Sequence, residues 1–183
     1  EQGRYEEAQL LLRQGMKSTF PRRKMRQHMA VIASTAGERL DAITLLREEL
    51  VDYADNDTAR QFLIRLLEEE LLYEEQLEQV EVMLGLHPED PRLHHAKAQV
   101  LFNLEDMDGC GSVLDVALER FEGHPELLLL KANLLMARGQ SDEGHAIFTQ
   151  AQTALQTREA ARAELSSAVE AASDASAVDE PAQ

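Results

Sequence analysis

The chain of 183 residues has no tryptophan, a single cysteine, and only five phenylalanines and three tyrosines. Each shortage excludes something. With Cys110 as the sole thiol, no disulfide can form within the chain, so a disulfide-stapled fold is ruled out. Aromatics at 4% and few β-branched residues, beside abundant Ala, Leu, Glu, Gln and Arg, disfavour a strand-rich fold and favour helix. No run approaches about 18 consecutive apolar residues, so no membrane-spanning helix is expected. Positive charge is short as well. The 18 Lys and Arg stand against 34 Asp and Glu, and the resulting −16 repels phosphate, which argues against nucleic acid as a partner.

That shortage is uneven. Residues 1–26 carry seven basic groups against three acidic ones, a net of +4, whereas the remainder carries eleven against thirty-one, a net of −20. Four of the cations, Arg22, Arg23, Lys24 and Arg26, form a basic patch after Phe20-Pro21, at a helix start where the macrodipole adds to the positive potential. Such a patch suits an acidic partner, a membrane surface or the acidic part of a second copy. It is equally what a charged loop and helix start look like.

Repetition is what the sequence has in quantity. PRLHHAKAQVLFNLEDMDGCGSVLDVAL from Pro91 and PELLLLKANLLMARGQSDEGHAIFTQAQ from Pro125 align without a gap, 34 residues apart. Lys97-Ala98 fall on Lys131-Ala132, Leu101 on Leu135, Leu114 on Phe148 and Ala117 on Ala151. One step back from Asp57 gives Leu63-Ile64, Leu67, Val80 and Met83; a further step from Arg23 gives Met29-Ala30, Ala33, Ala42 and Leu46. Tyr5, Ala8 and Leu12 keep the frame in a leading half unit. A period of this kind means that one structural unit is reused. Within each unit, apolar residues return every three or four positions in two blocks, interrupted at Ala36-Gly37, Glu105-Asp106 and Arg138-Gly139. Each unit therefore reads as helix, tight turn, helix. Pro91 and Pro125 fall in the first turn of a leading helix, where a missing N–H costs nothing, and Asp90 is a suitable cap. Lys131 and Asn133 interrupt a leucine run, as expected of a stacked helix that keeps one stripe open.

The period and these positions resemble the tetratricopeptide repeat (TPR) family, from about Gly3 to Arg158. Small residues stand at the eighth place (Ala30, Ala98, Ala132) and the twentieth (Ala8, Ala42, Cys110, Gly144). Bulky ones stand at the twenty-fourth (Leu12, Leu46, Val80, Leu114, Phe148). The chain departs from the pattern at the fourth place, where Arg26, Arg60, His94 and Leu128 replace the usual tryptophan. It departs again at the seventh, with Lys97 and Lys131, and in unit 57–90 with Ile64 and Gln76. The resemblance implies an all-α, right-handed superhelix (an α-solenoid) of antiparallel helix pairs; a related solenoid of helix pairs is the alternative. The expected repeat domain covers 1–172: a half unit 1–22, units 23–56, 57–90, 91–124 and 125–158, and a capping helix 159–172. That last helix places Ala161, Leu165, Ala168, Val169 and Ala172 on one stripe. Residues 173–183 are small and acidic and are expected to be disordered.

Reactive constellations are hard to find. No histidine stands at a metal-ligand spacing, and the adjacent His94 and His95 diverge on a helix, so no metal, cofactor or catalytic residue is expected and the chain does not read as an enzyme. Cys110, between Gly109 and Gly111, occupies a small-residue slot and reads as a buried, inert thiol. Glu68 and Glu69 read as a solvated face.

What the resemblance implies instead is binding, with a peptide or protein segment held on a concave face lined by the leading helices. The places that should line it begin with Lys24, Gln27, Val31, Ser34 and Thr35, then Thr58. The expected peptide-binding groove is Gln61, Arg65, Arg92, His95, Gln99, Phe102, Asn103, Leu129, Asn133 and Met136. Amides can satisfy a peptide backbone, the cations an acidic group, and Phe102, Leu129 and Met136 apolar contact. Family members that clamp a C-terminal carboxylate use lysine at the fifth place and asparagine at the ninth. Here those places hold Gln27 with Val31, Gln61 with Arg65, His95 with Gln99, and Leu129 with Asn133, so that clamp is missing. The runner-up function is self-assembly into a homo-oligomer through the half unit, with Leu10, Leu11 and Leu12, and the basic patch. One unpaired cysteine suits a reducing compartment, so a cytoplasmic setting is expected; a periplasmic or anchored longer chain stays open.

Overall fold

The computed structural model describes Glu7, Leu10, Leu11 and Gln14 and then residues 23–177, with side-chain environments as far as residue 167. Arg22 of the basic patch, most of the half unit, and residues 178–183 of the expected tail lie outside the described residues. Eight helices follow one another from residue 25: α1 (Met25–Thr35), α2 (Arg39–Asp52), α3 (Asp57–Glu69), α4 (Tyr73–Leu86), α5 (Pro91–Asn103), α6 (Met107–Arg120), α7 (Pro125–Ala137) and α8 (Ser141–Ala177). The fold is all-α, and its helices recur at the spacing of the sequence repeat.

The turns show most directly why the period exists. Gly37, Leu71, Glu105 and Gly139, each 34 residues after the last, all take a positive φ, between 58° and 87°. Beside each, the same pair of hydrogen bonds closes the preceding helix. Gly37 N donates to Ser34 O and Glu38 N to Ala33 O; Leu71 N to Glu68 O and Leu72 N to Leu67 O. The pattern repeats at Glu105 with Asp106, and at Gly139 with Gln140. This is the Schellman arrangement, which uses up the last free carbonyls of a helix and reverses the chain. Starts are specified too. Asn56 Oδ1 accepts from Ala59 N at the head of α3, and Asp90 Oδ1 accepts from Arg92 N at the head of α5, where Pro91 occupies the first helical position.

Two compact units result, Glu1–Asp106 and Met107–Gln183. The division falls inside the expected repeat 91–124. In the first unit α1 packs on α2, α2 on α3, α3 on α4 and α4 on α5; in the second, α6 packs on α7 and α7 on α8. The small slots of the repeat are the crossing points. Ala30, Ala42, Ala98, Cys110 and Ala132 have no exposed surface. Around Ala30 and Ala42 gathers the core of the first unit, with Ile43, Leu46, Ala59, Leu63, Leu66 and Leu67.

The C-terminal end corrects the sequence reading. A closing helix was expected over 159–172, separate from the last repeat, with disorder from 173. Instead α8 runs unbroken for 37 residues to Ala177, a rod of about 55 Å. The reason is local: between Gln156 and Ala172 there is no glycine or proline to end a helix, and Ala, Glu and Arg predominate. Among the described residues no following helix lies over it. Leu46, Val80 and Leu114 are 0% exposed, yet Phe148 at the same repeat position is 36% exposed.

Candidate functional site

An open groove of about 370 Å³ lies on the first unit between α1 and α3, lined by Gln27, Val31, Ser34, Thr35, Thr58, Gln61, Phe62 and Arg65. Helical spacing brings these residues together: 27, 31, 34 and 35 share one face of α1, and 58, 61, 62 and 65 one face of α3. Val31 is an exposed apolar side chain in its middle. The Thr35 hydroxyl donates to Val31 O at 2.7 Å and so presents only acceptor lone pairs outward. The Arg65 guanidinium lies over the Phe62 ring, 4.9 Å from its centroid.

Behind the groove is a buried polar cluster. Glu49 is fully buried, and its Oε1 accepts from Lys24 N at 2.6 Å and from Asn56 Nδ2 at 3.0 Å. Asn56 Nδ2 also donates to Gln27 Oε1 at 3.0 Å. Glu49 stands at the repeat position taken by Met83, Ala117 and Ala151, where the pattern calls for alanine. Deeper in the same unit, the buried Arg60 donates from Nη1 to Gln79 Oε1 at 2.5 Å and from Nη2 to Ala54 O at 2.8 Å.

The other expected groove residues fare differently. Arg92 does not stand free: its Nε and Nη2 donate to Asp90 Oδ1 and Oδ2 at 2.9 and 2.7 Å. The pair holds the Asp90 carboxyl below its usual range, chiefly through the Arg92 hydrogen bonds. Gln99 Nε2 donates to Asn103 Oδ1 at 3.2 Å, one turn on, and His95 and Phe102 are half-buried beside them on α5. Leu129, Asn133 and Met136 belong to the second unit, on one stripe of α7. Met136 is partly a packing residue, since a Cβ on Gly144 would come within 2.7 Å of its Cγ. Gln27, Val31, Ser34, Thr35, Thr58, Gln61 and Arg65 are thus the expected lining residues that meet in the described groove. Phe62, which holds Arg65, and Asn56 and Glu49, which hold Gln27, were not read from sequence. Phe62 and Arg65, three apart on a helix, were the available signal.

The basic patch is engaged within the chain. Arg23 pairs with Asp55 at 2.9 Å, and Arg26 with Glu48 at 3.2 Å and Asp52 at 2.6 Å. The acids that follow one helix later thus pair with two of the four cations of the patch. In the second unit, a mostly apolar depression of about 610 Å³ lies where α8 runs past the start of α7, lined by Gly123, Pro125, Gln150, Thr153, Ala154, Thr157, Arg158 and Ala161. Arg158 on its edge donates to Glu126 Oε1 at 2.7 Å. Among the described residues no group of His, Cys, Asp or Glu is placed to hold a metal ion, and no helix is long and apolar enough to cross a membrane.

No family model and no curated protein matches this sequence. Solved structures do. MamA MSR-1 C2 is similar with a TM-score of 0.67 at 18% identity, over 85% of this chain and 90% of that one. MamA 41-end from Desulfovibrio magneticus RS-1 gives 0.70 at 14% identity, over 85% and 88%. A further MamA crystal structure gives 0.71 at 13%, over 86% and 92%. At such identities the likeness shows the fold alone. That fold is the helix-pair repeat that the 34-residue period implied.

Proposed function

We propose that the chain is a non-catalytic interaction module, a scaffold or adaptor that holds a segment of another protein against its leading helices, and that it works in the cytoplasm. One observation carries the proposal: the α1–α3 groove combines an exposed apolar centre at Val31 with Arg65, a stacked cation with no carboxylate partner among the described residues. Such a mixture of apolar floor and convergent polar groups is what a recognition groove offers and a packing defect does not. Gln99 and Asn103 would add contacts along α5, and Leu129, Asn133 and Met136 are the corresponding residues of the second unit's α7.

The test is retention of partners by the intact chain. Co-purifying proteins should be lost when Val31→Arg blocks the groove and kept when Val51→Arg places the same charge on the exposed Val51 of α2. Equal loss or equal retention by the two variants would move the binding face elsewhere.

Self-assembly is the second reading, favoured by the exposed Leu10 and Leu11. With Arg23 and Arg26 already paired, it would depend on those leucines rather than on the basic patch. Sedimentation of the chain and of a Leu10→Gln/Leu11→Gln variant, at low and high salt, tests it: an oligomer insensitive to the double substitution refutes this route.

A further inference from the structure

Two features of the α1–α3 groove bear on the chemistry of its occupant, on the premise that this groove is the binding site. The first is charge. Acids outnumber bases nearly two to one in this chain, 34 to 18, yet Arg65 has no acid within ion-pair distance among the described residues. Its natural partner one turn on, Glu69, is held by Arg39 Nε at 2.9 Å, and Glu70 by Arg39 Nη1 at 3.6 Å. The Phe62 ring takes one face of the Arg65 guanidinium and leaves its N–H edge open. That edge matches a carboxylate, with two parallel hydrogen bonds.

The second feature is the direction of one amide. Asn56 is 2% exposed, and its Oδ1 accepts from Ala59 N. Its Nδ2 must therefore donate, and it does so to Glu49 Oε1 and Gln27 Oε1, both at 3.0 Å. With Gln27 Oε1 turned inward to Asn56, the Gln27 NH2 group is turned the other way, on a groove-lining side chain, without a partner among the described residues. The remaining oxygen of the anchor, Glu49 Oε2, is buried with no hydrogen-bond partner. A buried carboxylate in an alanine slot is unfavourable for packing alone. Here it fixes Asn56, and through Asn56 the outward donors of Gln27.

We infer that the groove takes an extended protein segment carrying one aspartate or glutamate side chain, seated on the open edge of Arg65. A backbone carbonyl of the same segment accepts from Gln27 Nε2, and a small apolar side chain rests on Val31. The chain's own charge of −16 disfavours a segment dense in acids, so recognition turns on a single carboxylate.

Random peptides of about twelve residues, displayed on phage, are selected on the intact chain, and a selected peptide is resynthesised with its acid changed to the amide. On the wild-type chain the amide form binds about tenfold more weakly or worse. On Arg65→Gln the two peptides bind alike, and Gln27→Met weakens both by a similar factor. Arg65 is exposed and Gln27 half-buried against Asn56, and circular dichroism verifies that each variant is folded. Peptides that are lost on Val31→Arg but indifferent to the acid-to-amide change refute the carboxylate anchor and leave the groove standing. Peptides indifferent to Val31→Arg, or no enrichment at all, overturn both.

Discussion

Lys131 Nζ lies 2.7 Å from Asp115 Oδ1, and Lys97 Nζ lies 2.8 Å from Glu81 Oε1. The second pair is the first displaced by one repeat, and each joins a leading helix to the trailing helix before it. The lysine side chains are only 18% and 25% exposed. They are not an open stripe. Each lays its stem on the neighbouring helix and puts its ammonium on a partner placed for it. Where the preceding helix has Arg47 in place of the acid, the next leading helix has Leu63 in place of the lysine. Reversing one charge, as Lys131→Glu, should therefore destabilise the second unit by about 1 kcal/mol, and Asp115→Lys in the same chain should restore part of it. A denaturant double-mutant cycle reads the coupling, which should shrink as salt is raised.

Leu71 takes the left-handed turn conformation, φ 58°, that Gly37 and Gly139 supply at the equivalent places, and its side chain is exposed. Leu71→Gly removes that strain and loses little packing, so it should raise stability by about 1 kcal/mol. Gly139→Ala should lower it by a similar amount. Thermal unfolding of the two variants should shift in opposite directions.

Two glycines inside helices separate packing from propensity. A Cβ on Gly144 would meet Met136 Cγ at 2.7 Å and Ala132 O at 3.1 Å, so Gly144→Ala must push α7 and α8 apart. It should destabilise by about 1–2 kcal/mol net of the helix propensity gained. A Cβ on Gly111 would meet nothing nearer than 3.4 Å, an ordinary contact with Arg138. Gly111→Ala should stabilise by about 0.5–1 kcal/mol. Urea midpoints of both variants check the difference in sign.

Asp90 has its carboxyl held low, first by the hydrogen bonds from the Arg92 side chain and also by Arg92 N, against a smaller opposing effect of burial. A carboxylate depressed in the folded state stabilises above its unfolded pKa of about 3.9, and that contribution is lost as pH falls through the folded value. Asp90→Asn keeps an acceptor at the helix start and removes the charge. It should melt below the wild-type chain at pH 7 and converge with it as pH falls below the depressed folded-state value. A gap that persists in acid would mean that something other than the carboxylate's charge separates the two chains.

The positions of turns and helices could be read from the sequence because many rest on short-range chemistry repeated in frame: an αL residue every 34, a capping side chain or a proline at the starts of α3, α5 and α7, and small residues at the crossings. The polar residues at the fourth place were legible only as departures. Arg26 and Arg60 are tolerated there because Glu48, Asp52, Gln79 and Ala54 O receive them from other segments, and partners 6 to 26 residues away are invisible to a periodicity. The same applies to the groove. Its lining followed from helical spacing, but which cations stood unpaired depended on side-chain geometry that spacing does not give: Arg92 turns back to Asp90 and Arg23 reaches Asp55, while Arg65 lies on the Phe62 ring and Glu69 is paired with Arg39.

Phe148 marks a place where the series can grow. Its counterparts are sealed by the hairpin that comes next, so a further helix pair spliced in after Arg158, with a glycine turn and a proline start, would find a seat already shaped for it. Each added pair would then raise the unfolding free energy by its own increment plus one more interface, in the manner of a one-dimensional array.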